Sequence, residues 1–144
     1  MFKVKKATSE HLAKMSIRPE FKLGESDKPR LMYQIVSNSC YSVLTESGTV
    51  VAIFGSNNIN TKVVQLWAVI SDEVKRYPIA FHKLVLLLLP EYLNNSTEHR
   101  FQMTIREDFK AAAKWAESLG FECEGNLKMY GVDGSNYLLY ARVK

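Results

Sequence analysis

The stretch Lys62-Val-Val-Gln-Leu-Trp-Ala-Val-Ile70 carries only two polar side chains, Lys62 and Gln65. A strand of that composition has to be covered on both faces, which is the setting of a central strand in a layered sheet. A polar segment follows, Ser71 to Pro78, and then a helix expected from Ile79 to Leu93. Phe81, Leu84, Val85, Leu86, Leu87, Leu88 and Leu89 make that helix apolar nearly all round, so it should be buried against more than one neighbour. Pro90 removes one intrahelical hydrogen bond and should kink or fray the last turn. Helices layered on a sheet, an α/β (α+β) class, follow from this pair of elements.

Length and composition set the scale. The chain has 144 residues, close to the ~150 of one typical domain, and is 47% hydrophobic, enough to bury a core. A single domain over residues 1–144 is expected. The longest uninterrupted apolar run, Leu84 to Leu89, is far shorter than the roughly 20 residues of a membrane span, so no membrane partner is expected. No apolar stretch of signal-peptide length follows the basic Met1 to Lys6, which points to a cytoplasmic protein. Cys40 and Cys123 have no spacing of a disulfide framework or a metal knuckle and read as two free thiols. Met1 to Arg30 holds eight of the 19 Lys/Arg and four of the 15 Asp/Glu, so the entire +4 excess sits there. Its cations are scattered and lack interleaved aromatic residues, which argues against nucleic-acid binding.

The remaining elements follow from periodicity and capping. Phe2 to Lys5 alternates as a half-buried strand, and Thr8-Ser9-Glu10-His11 offers capping hydroxyls to a short helix with Leu12 and Met15, stopped by Pro19. Glu20 to Arg30, with Gly24 and Pro29, reads as a loop; Leu31 to Ser37 is either a second helix or the lead into a strand. Cys40 to Thr45 and Thr49 to Phe54 form a hairpin about Glu46-Ser47-Gly48, and Gly55-Ser56-Asn57-Asn58 turns again. Phe101 to Arg106 alternates as a strand. Asp108 is placed to cap a helix with Phe109, Ala112, Ala113, Ala116 and Leu119 on one face and Gly120 at its stop. Phe121 to Tyr130 and Tyr137 to Val143 close the chain as a hairpin around Asp133-Gly134.

This order resembles the GNAT superfamily of acetyl-CoA-dependent N-acetyltransferases over almost the whole chain. The stretch Ala111 to Glu122, ending a helix in Leu119-Gly120-Phe121 before the last hairpin, is similar to the family's own helix end. Leu66 to Val74 also resembles GNAT-like proteins of tailed bacteriophages, some of them virion components. The resemblance implies a mostly antiparallel sheet of six or seven strands flanked by about four helices. It also implies a V-shaped splay between the Val63 to Ile70 and Phe101 to Arg106 strands, with the site in that cleft.

The resemblance implies acetyl-CoA or another acyl-CoA as cofactor. Backbone groups of Trp67, Ala68 and Val69 would meet the pantetheine arm, and Lys75, Arg76, Tyr77, Ile79 and Ala80 would hold the pyrophosphate. Family members place Gln/Arg-x-x-Gly-x-Gly/Ala there, at a helix N-terminus that favours an anion. Here the segment is Lys75-Arg76-Tyr77-Pro78-Ile79-Ala80, and Pro78 replaces glycine and its N–H. The family's tyrosine four residues before Gly-Phe is Ala116, and the glutamate common on the preceding strand is missing. The catalytic residues are therefore left unassigned. Tyr77, His82, Cys123 and Tyr130 stand as substitute acids and Asp72 or Glu73 as substitute bases, with His82 read as structural and Tyr130, Tyr137 and Tyr140 as packing residues with a wet hydroxyl.

Two functions follow: an acyl-CoA-dependent N-acyltransferase of an unidentified amine, or a silent GNAT-like domain serving a protein partner, as in a phage virion or morphogenesis component. A phage-encoded chain would work in the host cytoplasm or the virion. No serine-hydrolase elbow, Gly-x-x-x-x-Gly-Lys phosphate loop or His-Glu-x-x-His motif is present, and no metal site is implied.

Overall fold

The computed structural model of the protein describes residues 1–23 and 27–144. The elements run β1 (Phe2–Lys6), α1 (Ser9–Lys14), α2 (Asp27–Ser37), β2 (Cys40–Thr45), β3 (Val50–Asn60), β4 (Val63–Ile70), α3 (Pro78–Asn95), β5 (Arg100–Arg106), α4 (Lys110–Ser118), β6 (Glu122–Leu127) and β7 (Tyr137–Val143). Short 3-10 helices occupy Pro19–Phe21 and Asp72–Arg76. The strands form one seven-stranded sheet in the order β1-β2-β3-β4-β5-β7-β6. Its β1–β2, β2–β3, β5–β7 and β6–β7 pairs are antiparallel, and β4–β5 is parallel. This is the expected mixed, mostly antiparallel α+β architecture with four flanking α-helices. Among the described residues, no helix is long and apolar enough to cross a membrane.

Two compact units divide the chain, Met1–Asn57 with Trp67–Leu88, and Asn58–Leu66 with Leu89–Lys144. In the first, Leu12 of α1, Leu31 and Ile35 of α2, Leu44 of β2, Ile53 of β3 and Val69 of β4 share one apolar cluster. Thr8 starts α1 with a capping box: the His11 N–H donates to Thr8 Oγ1 at 3.2 Å, and the Thr8 N–H donates to His11 Nδ1 at 3.3 Å. Helix α1 ends at Lys14, and Pro19 opens the first 3-10 helix rather than stopping α1. The open reading at Leu31 resolves as helix, and α2 reaches back to Asp27. Pro29 lies in its first turn, where a missing N–H costs nothing. Of the loop expected over Glu20–Arg30, residues 24–26 lie outside the described residues.

Two further expectations in this unit are corrected. No turn occurs at Gly55; β3 runs on to Asn60. A Cβ at Gly55 would lie 2.3 Å from the Trp67 indole, so this glycine marks a close approach between strands rather than a bend. Helix α3 is also less covered than its composition demands. Phe81 stacks on Phe54 at 6.1 Å and meets Phe2 edge-on at 6.4 Å. Val85 is buried as well, but Leu86, Leu87 and Leu88 are 45%, 73% and 39% exposed. Pro90 lies inside the helix, which continues to Asn95. Leu86, whose carbonyl loses its donor to the proline, is a surface residue, so water can take the donor's place.

In the second unit, β5 pairs with β7 along its full length, from Arg100↔Val143 to Arg106↔Tyr137. Its parallel register with β4 covers Val63↔Arg100, Val64↔Phe101 and Gln65↔Gln102. Helix α4 buries Phe109, Ala113, Ala116 and Leu119. It ends in a Schellman motif: the Phe121 N–H donates to Ala116 O at 3.1 Å, the Gly120 N–H to Glu117 O at 3.0 Å, and Gly120 has φ +90°. Phe109, not Asp108, is the N-cap, because Asp108 Oδ1 accepts from Arg106 Nε at 3.2 Å. Strand β6 ends at Leu127, which leaves Tyr130 in the connection to β7.

Candidate functional site

The segment from the end of β4 to the start of α3 lies within the first unit. Ser71 is its pivot: its N–H donates to Val51 O at 2.9 Å, and its buried hydroxyl accepts from the Glu73 N–H at 3.1 Å, capping the Asp72–Arg76 helix. The Arg18 N–H donates to Ile70 O and the Asp72 N–H to Ser16 O, both at 2.9 Å, so residues 16–18 run antiparallel along 70–72. The 3-10 helix closes with the Tyr77 N–H on Val74 O at 2.9 Å, and α3 opens with the Phe81 N–H on Tyr77 O, also at 2.9 Å. Pro78 is thus the first residue of α3, a position that suits its fixed φ.

The N–H groups of Ile79 and Ala80, in the first turn of α3, have no intrahelical acceptor. They point along the positive end of the helix dipole, and Pro78 contributes none. Two backbone donors therefore stand where a glycine-containing turn would supply three.

The cations beside these donors are held by carboxylates of the same 3-10 helix. Lys75 Nζ lies 3.2 Å from Asp72 Oδ1 and Arg76 Nε 3.7 Å from Glu73 Oε2, with Lys75 and Arg76 58% and 73% exposed. Such exposed pairs are worth about 0–1 kcal/mol, so a polyanion can draw the cations away. Residues 16–18 add a pair that sequence reasoning missed: Arg18 Nη2 donates to Glu20 Oε2 at 2.7 Å. That bond is the largest cause holding the Glu20 carboxyl below its ordinary value, with a smaller electrostatic contribution from Lys75.

The remaining expected residues of this unit divide by role. Trp67 lies over Gly55, and among the described residues its buried Nε1 has no hydrogen-bond partner. Val69 is in the core, while Ala68 alternates to the other face of β4. Tyr77 meets Phe2 edge-on at 5.7 Å beside a cavity of about 270 Å³ lined by Met1, Thr45, Glu46, Ser47 and Tyr77. Asp72 and Glu73 are engaged by their cations, and His82 sits in the first turns of α3.

In the second unit, Cys123 is exposed and Tyr130 meets Tyr137 edge-on at 5.4 Å. Tyr140 is not the wet hydroxyl expected: it is 2% exposed and donates to Glu117 Oε1 at 3.0 Å, and burial with that bond pushes its pKa up to about 12. The strongest electrostatic feature there was also missed. Buried Arg106 donates to Asp108 at 3.2 Å and to both Asp133 oxygens at 3.4 and 3.2 Å, and stands 5.8 Å from the Tyr137 ring centre. The Ser135 hydroxyl, 2.6 Å from Asp133 Oδ1, leads the interactions that hold the Asp133 pKa down to about 2. Asp133-x-Ser135 has the spacing of an Asx turn and was a readable signal for that ordering.

No protein-family model matches the sequence, and no curated protein matches it. Solved structures match over nearly the whole chain. A GNAT-family acetyltransferase from Bacillus anthracis superposes with a TM-score of 0.75 at 13% identity, covering 99% of this chain and 94% of that one. A GNAT-family acetyltransferase from Bacillus cereus gives 0.73 at 17% identity, covering 100% and 98%. A GNAT-superfamily phosphinothricin acetyltransferase from Sinorhizobium meliloti, in complex with AcCoA, gives 0.70 at 14% identity, covering 99% and 88%. With its strand order and its helix ending in Leu119-Gly120-Phe121, the chain has the fold of the GNAT acetyltransferases.

Proposed function

We propose that this protein is an acyl-CoA-dependent N-acyltransferase, with acetyl-CoA as the donor and an amine of a small molecule or protein as the acceptor. The observation that carries this reading is the pair of first-turn N–H groups at Ile79 and Ala80, which have no intrahelical acceptor and stand at a helix start beside Lys75 and Arg76. In it, these two amides hold the pyrophosphate, Lys75 and Arg76 leave their carboxylates to face it, and the backbone of Trp67, Ala68 and Val69 lies along the pantetheine arm. Tyr77 closes the turn. The fold it shares with an AcCoA-bound acetyltransferase supports the same assignment.

Bound acetyl-CoA supplies the acyl group as an activated thioester. The protein's own part is mostly binding and orientation, because Ala116 offers no hydroxyl and the hydroxyl of Tyr140 is committed to Glu117. Turnover is then slow and rises with pH as free acceptor amine accumulates. Pro78 removes one charge-assisted hydrogen bond of about 1.5–3 kcal/mol, which weakens CoA binding by roughly one to two decades.

Those same gaps at Ala116 and Tyr140 favour a second reading, a catalytically silent domain with a structural or partner-binding role, such as a phage virion or morphogenesis component. In either reading the protein works in the cytoplasm, or in host cytoplasm or virion if phage-encoded, in keeping with two free thiols. Thermal denaturation with millimolar CoA or acetyl-CoA tests the proposal. A rise in Tm with both ligands supports it, and no shift with either contradicts it. Acetyl transfer to a panel of primary amines, read by mass spectrometry, separates the enzyme from the silent domain.

A further inference from the structure

Strand β1 stands first in the sheet order and pairs only with β2, so its other edge is open. One bond fixes the direction of its backbone groups: the Ala7 N–H donates to Cys40 O at 2.8 Å. Successive residues of an antiparallel strand alternate between bonding their partner and facing away from it. Lys3 and Lys5 therefore bond to β2 in phase with Ala7, and the N–H and C=O groups of Phe2, Val4 and Lys6 point out from the sheet. Among the described residues, these outward groups have no backbone partner.

The side chains alternate as well. Lys3 and Lys5 share one face, about 7 Å apart along the strand, and Val4 lies between them on the other face, 44% exposed. Lys3, Lys5 and Lys6 are exposed, and among the described residues their ammonium groups take part in no ion pair and no hydrogen bond. Three of the eight cations in Met1 to Arg30 thus stand unpaired on one open edge of five residues.

We infer that the open edge of β1 takes up an extended segment of a protein partner, one that alternates acidic and apolar residues, as an added antiparallel strand. The outward N–H and C=O groups of Phe2, Val4 and Lys6 supply the new ladder. Carboxylates at alternate positions of the segment meet Lys3 and Lys5, and the apolar side chains between them lie beside Val4. Charge complementarity selects this occupant. A second copy of β1 would set lysine against lysine, which is how edge lysines deter pairing of a sheet with itself. Nucleic acid matches the charges but has no peptide edge with which to extend the sheet. The inference is independent of acyl-CoA and holds for the enzyme and for the silent domain alike.

Fluorescence anisotropy of a short labelled peptide that alternates glutamate with valine, titrated with the full chain, tests this. Saturable binding is expected. A peptide of the same composition with its glutamates in one block should bind roughly tenfold or more weakly, because it loses register with Lys3 and Lys5. The alternating peptide N-methylated on its valines, whose amides face β1, should weaken similarly because it loses the ladder. Lys3→Glu with Lys5→Glu should lose the glutamate peptide and gain a peptide that alternates lysine with valine, which the native chain rejects. That gain separates lost recognition from a lost fold. A native chain without saturable binding overturns the inference. So does a block or N-methylated peptide that binds as tightly as the alternating one, which marks charge attraction alone, or a double variant that keeps the native preference.

Discussion

Gln102 Nε2 donates to Gln65 Oε1 at 3.2 Å across the last register pair of β4 and β5. Gln102 Oε1 in turn accepts from Arg100 Nε at 2.8 Å, and Arg100 forks onto Glu124 of β6 at 2.5 and 3.2 Å. A polar chain thus links β4, β5 and β6. Gln65→Ala leaves one Gln102 donor without its partner and should cost about 1 kcal/mol. The double change Gln65→Leu with Gln102→Leu removes both partners and should cost less than the two single changes together. Urea denaturation midpoints check both.

Gly55 is where the sequence reading and the structure part most clearly. Gly55-Ser56-Asn57-Asn58 has the composition of a turn, yet the chain stays extended, and the glycine is needed because the Trp67 indole occupies the space of a side chain. A strand glycine required by a neighbour twelve residues away looks the same in sequence as a glycine required by a bend. Gly55→Ala should displace the indole and cost about 1–3 kcal/mol, read as a lowered Tm with altered Trp fluorescence.

The acid limb of stability should carry the signature of Asp133. Its folded pKa, about 2, lies below the ordinary 3.8 because the Ser135 hydroxyl and N–H, and then Arg106, favour the carboxylate. The stabilisation is complete above about pH 4 and is lost as pH falls towards 2. Asp133→Asn should lower stability at neutral pH and flatten this part of the acid limb, as followed by thermal melts across pH 2 to 5.

The two thiols should differ in reactivity. Cys40 is 1% exposed and burial raises its pKa, whereas Cys123 is exposed. A thiol reagent should modify one cysteine of the native protein, Cys123 by peptide mapping, and both after denaturation.

Local signals were legible and tertiary ones were not. Thr8 as a cap, Gly48 and Gly120 at positive φ, and the alternation of Phe101 to Arg106 depend on neighbours in sequence, and the structure places them as expected. Asp108 shows the limit: its side chain can cap a helix or bind a cation, and the buried Arg106 guanidinium decides between them. Helix α3 shows another. Its composition states that it needs more cover than one sheet face, yet Leu86, Leu87 and Leu88 stay 45%, 73% and 39% exposed. At the candidate site, Lys75, Arg76 and Pro78 were visible as a turn and a helix start, while Arg18 and Glu20 reach the end of β4 only through the strand-like contact of residues 16–18.

Pro78 sits at the centre of the functional account. Titration calorimetry of CoA into the native protein and into Pro78→Gly, which restores the missing N–H, tests that account most directly. The account predicts that the native chain binds CoA and that the variant binds about ten- to a hundredfold more tightly. Two proteins that give no heat at millimolar CoA, or a variant whose affinity equals the native one, would contradict it.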